Sequence, residues 1–345
     1  MSLQRSKELN NLNVLKAFLM LFVVLGHSLC FWGGNWFTQN PTEIVIPLIT
    51  FSDWLNAFHI PCFVLVSGYI FYYLKFEKCR YNRFFPFVIN KAKRLLIPFV
   101  SVSIFWAVPF ACLFFSYNLI EVFVRFGLGS APGQLWFLLM IFWVFVLFYP
   151  LSNFFQRKTL LGAGVVIIFY GIGILGPSFL PNLLQIFRAL TYIPLFWLGF
   201  QLRRFGSDFI RKIPSLAWIT AHLLLFIVSK IIANKGGLFF TLFGMGINFL
   251  MHVVGALMAF VVLQALADRV DFEKNRFFNL LIQNSMPIYL LSQQIIYLLI
   301  FFLNGKINPY LHGIINFVLS TAISLLLSLI LKKFKWTKFL LGEKV

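Results

Sequence analysis

The sequence predicts an all-α fold: a polytopic membrane helical bundle of about ten transmembrane helices, with the N- and C-termini both cytoplasmic. Three observations carry this reading. First, 60% of the residues are hydrophobic and only 11% charged, with a mean hydropathy of +0.88, whereas a soluble domain is nearer half apolar and about a quarter charged. Second, the apolar residues gather in long runs almost free of charge, as bilayer-crossing helices require. Third, basic residues crowd every second connection between the runs. A disordered chain is excluded by the hydrophobicity. Barrel strands would need a strict alternation that is absent, and an open sheet leaves unpaired backbone in lipid.

The first run covers residues 12–32. It follows Arg5 and Lys7, and Phe31 and Trp32 stand where a cleavable signal would need small residues, so it reads as a retained span. Residues 33–53 carry Glu43 and Asp53 but no Lys or Arg, and read as the longest outer loop. The second run, 54–76, opens the densest basic region, from Lys75 to Arg94, expected as a cytoplasmic loop. The third, 95–117, leads out to a connection with Arg125. The fourth, 134–153, returns to Arg157 and Lys158, and the fifth, 160–176, is short. The sixth, 183–201, ends at Arg203 and Arg204, with Arg211 and Lys212 beyond. The seventh, 216–233, approaches the outside near Lys230 and Lys235. The eighth, 243–266, comes back to Arg269, Lys274 and Arg276. The ninth, 280–302, leaves Lys306 outside, and the tenth, 311–331, precedes Lys332, Lys333, Lys335, Lys338 and Lys344. At about 1.5 Å per residue these runs are of a length to cross ~30 Å of hydrocarbon.

Twenty-three of the 29 Lys and Arg thus fall on the inner side and four outside, with Lys16 and Arg188 within helices. This split accounts for most of the net charge of +19. Nucleic acid is not needed to explain it, and anionic lipid at the inner leaflet favours the same distribution. The four cysteines form no CxxC pair, so they read as apolar filler and no metal site is expected. No P-loop, GxSxG elbow or HExxH is present. Without a repeat or Gly/Ser linker, residues 1–345 read as one membrane domain.

Ionisable residues in hydrocarbon are costly and therefore mark candidate sites. These are Lys16, His27, His59, Arg188, His222 and His252. Lys16 and His27 are eleven residues apart, which at 100° per residue puts them on one helix face, roughly 16 Å apart along the axis. His27, His59 and Arg188 each lie about five residues from an outer helix end, at one level, as a polar cavity would need. Each also has a plainer reading: a core histidine bonded to a carbonyl, an anchor at the interface, or an arginine snorkelling outward. His222 and His252 stand alone and keep the plain reading. Lys91 and Arg94, at i and i+3, are spaced to grip a phosphate together, or serve as a topology signal only. Ser67-Gly68 fits close helix packing better than a catalytic hydroxyl.

An ordered set of motifs carries a resemblance. It begins with Leu12-Asn13-Val14-Leu15-Lys16 and Val23-Val24-Leu25-Gly26-His27. Phe58-His59-Ile60-Pro61 and Ser67-Gly68-Tyr69 follow, then Lys91, Arg94 and Pro98, then Leu135-Trp136-Phe137-Leu138. Leu195-Phe196-Trp197-Leu198-Gly199 and Ser285 with Ile288-Tyr289-Leu290-Leu291 complete it. In this order the chain resembles the acyltransferase 3 family of integral membrane acyltransferases, most closely its single-domain, fucose 4-O-acetylase-like subgroup. Asn13 stands where the family has Asp, Lys16 where it has Arg, and Ser292-Gln293 where the late motif often ends in His.

The resemblance implies an O-acyltransferase that moves acetyl from cytoplasmic acetyl-CoA to a hydroxyl of an extracytoplasmic or lipid-linked glycan. It assigns catalysis to His27, as general base or acyl carrier, with His59 orienting the acceptor or His27. Lys16, Lys91 and Arg94 are expected to hold the CoA phosphates. Arg188 or Tyr289 is expected at the oxyanion, and Trp136 and Ser67 beside the substrate. The implied partners are acyl-CoA, a glycan acceptor and membrane lipids, without nucleic acid and without a permanently bound cofactor. The implied location is a multi-pass position in a plasma or inner membrane, of bacterial type. The rival readings are a transporter or flippase of a lipid-linked glycan, and an inactive acyl-CoA-binding relative. No inverted repeat of broken helices supports the transporter.

Overall fold

Backbone N–H and C=O groups find no water in a bilayer, and a helix satisfies them within one segment. The computed structural model describes the backbone of residues 2–343 and the side chains of 11–272 and 274–343; Lys344 and the side chains of Arg5 and Lys7 lie outside the described residues. It is 83% helical, and no strand occurs among the described residues, so helices alone meet the backbone requirement. The chain runs through α1 (Ser2–Leu29), α2 (Ile46–Asn56), α3 (His59–Tyr72), α4 (Phe84–Val102) and α5 (Val108–Phe115). It continues through α6 (Leu119–Val122), α7 (Trp136–Arg157), α8 (Thr159–Leu175), α9 (Ile186–Phe205) and α10 (Asp208–Arg211). The last third is α11 (Ser215–Ala233), α12 (Leu238–Arg269), α13 (Arg276–Leu303), α14 (Pro309–Leu331) and α15 (Lys335–Leu340).

Ten of these segments are long and apolar enough to cross a membrane. Two are composite. α2, α3 and a π turn at Tyr73–Glu77 make the second span, and α4 and α5 join through a π turn at Ser103–Ala107. The chain is a multi-pass membrane protein. The apolar faces of α8 and α14 stand open, with Leu160, Ile167, Ile168 and Leu326 exposed, as lipid-facing positions should be.

The centre is α3, packed against α9 and α12, with α1 beside it and against α13 and α14. Two glycines set the α3–α9 distance. A Cβ on Gly68 would stand 1.9 Å from the Phe196 carbonyl oxygen, and one on Gly199 would stand 1.8 Å from that of Leu65. The packing reading of Ser67-Gly68 holds for the glycine. Around this seam Phe71, Phe148, Phe196 and Phe200 form an aromatic core.

Connections assigned to one side of the membrane meet at one end of the bundle. Asn11 and Arg211 both bond Asp268, and Arg203 pairs with Glu77 at 2.6 Å. At the other end Lys230 pairs with Asp53, and Asn304 donates to the Asn40 carbonyl.

Three boundaries differ from expectation. The loop expected over 33–53 is shorter, because α2 already begins at Ile46 with Pro47 in its first turn, where a missing N–H costs nothing. His59 is not five residues inside a helix. It opens α3 after an interruption at Ala57–Phe58, two residues before Pro61, a break that a proline in the first turn tolerates. The basic run at 91–94 is not a loop. α4 starts at Phe84 and carries it, since Lys and Arg are good helix formers and their stems cover apolar surface.

Candidate active site

α1 is continuous from Ser2 to Leu29, so the shared face of Lys16 and His27 is realised. That face runs past two cavities. The first, about 260 Å³, is lined by Lys16, Met20 and Val23 of α1, by Ser67 of α3, and by Lys91 and Arg94 of α4. The second, about 510 Å³, holds His27 at the end of α1, with Trp136, Arg188, Gln134 and Gln293. No Asp or Glu is among the described residues lining either cavity.

The Lys16 cavity is a cationic pocket with an aromatic wall. The Lys91 ammonium lies 3.6 Å from the Phe145 ring centre and 5.5 Å from those of Tyr81 and Phe87. Tyr81 sits just before α4, and burial pushes its phenol above the usual value against smaller lowering from Arg94 and Arg80. It therefore stays protonated and able to donate. Ser67 also faces this cavity, its hydroxyl donating back to the Phe63 carbonyl at 2.9 Å.

In the His27 cavity the imidazole lies 6.0 Å from the Trp36 ring, which packs in turn on Tyr297 at 4.8 Å. Arg188 lies over Trp136 at 4.5 Å; it turns onto this ring in the cavity wall. Leu184 and Gln185, just before α9, have positive φ of 52° and 59°, a strained geometry for residues with side chains. It is held because Gln185 donates to the carbonyls of Gly129 at 2.7 Å and Ser130 at 2.9 Å.

Tyr289 of α13 stands between the two cavities. It lines the Lys16 cavity, and its hydroxyl donates to the backbone carbonyl of Gln134, which lines the His27 cavity. Gln134 also pairs with Gln294 at 2.8 Å. The bond of Tyr289 thus links the linings of the two cavities. His59 lines neither cavity. It is 2% exposed, with Nδ1 donating to the Leu55 carbonyl at 2.7 Å and its ring beside Gly26 of α1.

Lys16, Lys91, Arg94, Ser67 and Tyr289 are therefore brought together, and so are His27, Trp136 and Arg188, while His59 lines neither cavity and stands beside Gly26, next to His27 in sequence. Sequence reasoning missed Arg125, Gln134, Gln294 and Tyr297 in the His27 cavity. Neutral amides at the margins of apolar runs raise no alarm in a search for charge. One signal existed: Gln293, at the late-motif position that departs from the expected His, faces this cavity.

A family model described as an acyltransferase domain matches residues 9–333. No curated protein and no solved structure matches the chain.

Proposed function

Because the chain belongs to the acyltransferase 3 family, we propose that it moves an acetyl group from acetyl-CoA to a hydroxyl of an extracytoplasmic or lipid-linked glycan. The observation that carries this reading is that one face of α1 carries Lys16 and His27 to two adjoining cavities, the first of which Lys91 and Arg94 of α4 also line. In this reading the Lys16 cavity faces the cytoplasm of a cell membrane. Lys16, Lys91 and Arg94 bind the phosphates of CoA there, where no carboxylate competes. The pantetheine arm then points along α1 toward His27, a reach of roughly 16 Å.

His27 takes the proton of the acceptor hydroxyl as its oxygen attacks the thioester carbon. The tetrahedral intermediate collapses, the carbon–sulfur bond breaks, and the imidazolium returns the proton to the leaving thiolate. An acyl-imidazole formed on His27 and then attacked by the hydroxyl balances equally. His59 acts as a positioning residue through Gly26. The similarity to the fucose 4-O-acetylase-like subgroup favours acetyl over other acyl groups, and a sugar as acceptor.

The test compares wild type with His27→Ala in membranes of equal expression, incubated with radiolabelled acetyl-CoA and cell glycans. Label in the glycan fraction is expected with wild type and background with His27→Ala, a loss of at least about 100-fold for a removed acid–base group. Equal label in both removes His27 from the chemistry. Glycan moved without label supports a transporter instead.

A further inference from the structure

We infer that the acceptor entering the His27 cavity is anionic, carrying a carboxylate or phosphate near the hydroxyl to be acylated. This rests on the reading of that cavity as the acceptor site. Two guanidiniums line it. Arg125 stacks on Tyr117 with 4.4 Å between guanidinium carbon and ring centre, and Arg188 stacks on Trp136 at 4.5 Å. Neither has an ion pair or a side-chain hydrogen bond among the described residues, and none of the described lining residues is acidic. Glu121, four residues before Arg125, is engaged elsewhere: its carboxylate accepts from the Asn118 backbone N–H at 2.9 Å and closes a capping box.

Two cations without a counter-ion in the lining of one concavity raise its positive potential and favour an anion within it. Cation–π attraction holds each guanidinium over its ring, and its N–H groups make no other side-chain bond among the described residues. Those N–H groups match the two oxygens of a carboxylate or phosphate. The rest of the wall is amide and aromatic, from Gln293 and Trp36, which suits the hydroxyls and flat faces of a sugar. An arginine acting only at the oxyanion would have no need of a second one.

The experiment uses the full chain in phosphatidylcholine nanodiscs and reads thermal stabilisation on titration with defined probes. The anionic probes are tetragalacturonate, sialyllactose and a glycerol phosphate oligomer; the neutral one is maltotetraose. At least one anionic probe is expected to bind and maltotetraose to bind about tenfold more weakly or not at all, the scale of one charge-assisted bond. Arg125→Gln with Arg188→Gln should erase that preference, and the Lys versions should restore part of it. Failure of all three anionic probes, equal binding of maltotetraose, or an unchanged preference in the double Gln variant overturns the inference.

Replacing phosphatidylcholine with phosphatidylglycerol separates an acceptor from a lipid headgroup. Loss of probe binding in that lipid assigns the arginines to headgroups and also overturns it. In transfer assays the double Gln variant should raise the KM for a charged acceptor and leave kcat within about twofold, whereas a lost oxyanion contact lowers kcat for every acceptor. His27-dependent transfer to neutral glycans alone sinks this inference and leaves the proposed function standing. Label independent of His27 sinks that function whatever the probes do.

Discussion

Lys91 shows how much one residue depends on its surroundings. Its ammonium faces the Phe145 ring at 3.6 Å, with Tyr81 and Phe87 beyond, an attraction of up to about 2 kcal/mol where water is sparse. The nearby Lys16 and Arg94 push in the opposite direction, because all three charges line one cavity without a counter-ion. A polyanion entering there resolves that repulsion. Lys91→Met keeps the apolar stem on the aromatic wall and removes the charge. It should raise the KM for acetyl-CoA roughly tenfold to 100-fold, the worth of a hydrogen bond to a charged group, with kcat at saturation little changed. Steady-state kinetics on solubilised protein check this, and an unchanged KM would take Lys91 out of donor binding. The i, i+3 spacing of Lys91 and Arg94 was legible in the sequence. Their direction was not, because it depends on α4 starting seven residues before Lys91.

At the scale of elements, the seam between α3 and α9 fixes the bundle. In lipid no hydrophobic effect drives helices together, so close backbone approach through small residues takes its place. Gly68→Ala puts a Cβ 1.9 Å from the Phe196 oxygen, and backbone cannot swing away as a side chain can. The variant should lose about 3 kcal/mol or more, seen as a lower thermal midpoint in detergent and reduced folded yield. Gly164→Ala on α8, with nothing within 4 Å of the new Cβ, should stay within about 1 kcal/mol of wild type. Equal behaviour of the two would show that the seam is soft. A second device lies on α14. His312, Asn316, Ser320, Ser324 and Ser328 recur every fourth residue and are buried at 0% exposure. Ser328 donates to Asn284 of α13 at 2.7 Å. Sequence reasoning passed over this file because hydroxyls and amides scattered in an apolar run look innocuous until the helix, turning each about 40° from the last, gathers them into one buried band.

At the scale of the whole molecule, the two ends of the bundle differ in charge, and the proposed orientation, with the Lys16 cavity on the cytoplasmic side, follows the positive-inside rule. Cys79 is exposed in the basic connection between α3 and α4. With the other three cysteines changed to Ser, Cys79 should react with a membrane-impermeant maleimide in inverted vesicles and not in intact cells. A Lys306→Cys variant lacking all native cysteines should do the reverse. The opposite pattern would invert the direction of transfer. The sequence by itself determined ten helices, which connections share an end, and the common face of Lys16 and His27. Those features follow from local rules: each residue's solvation in lipid or water, the helical period, and the charge of each connection. Only the tertiary structure decided that the face borders two cavities. It also decided that Tyr289 and Gln134, 155 residues apart, link the linings of the two, that His59 lines neither cavity, and that Arg125 joins Arg188. A cavity is the space that packed helices leave unfilled. Its shape depends on how deeply glycines such as Gly68 and Gly199 let distant segments approach, which no single segment specifies.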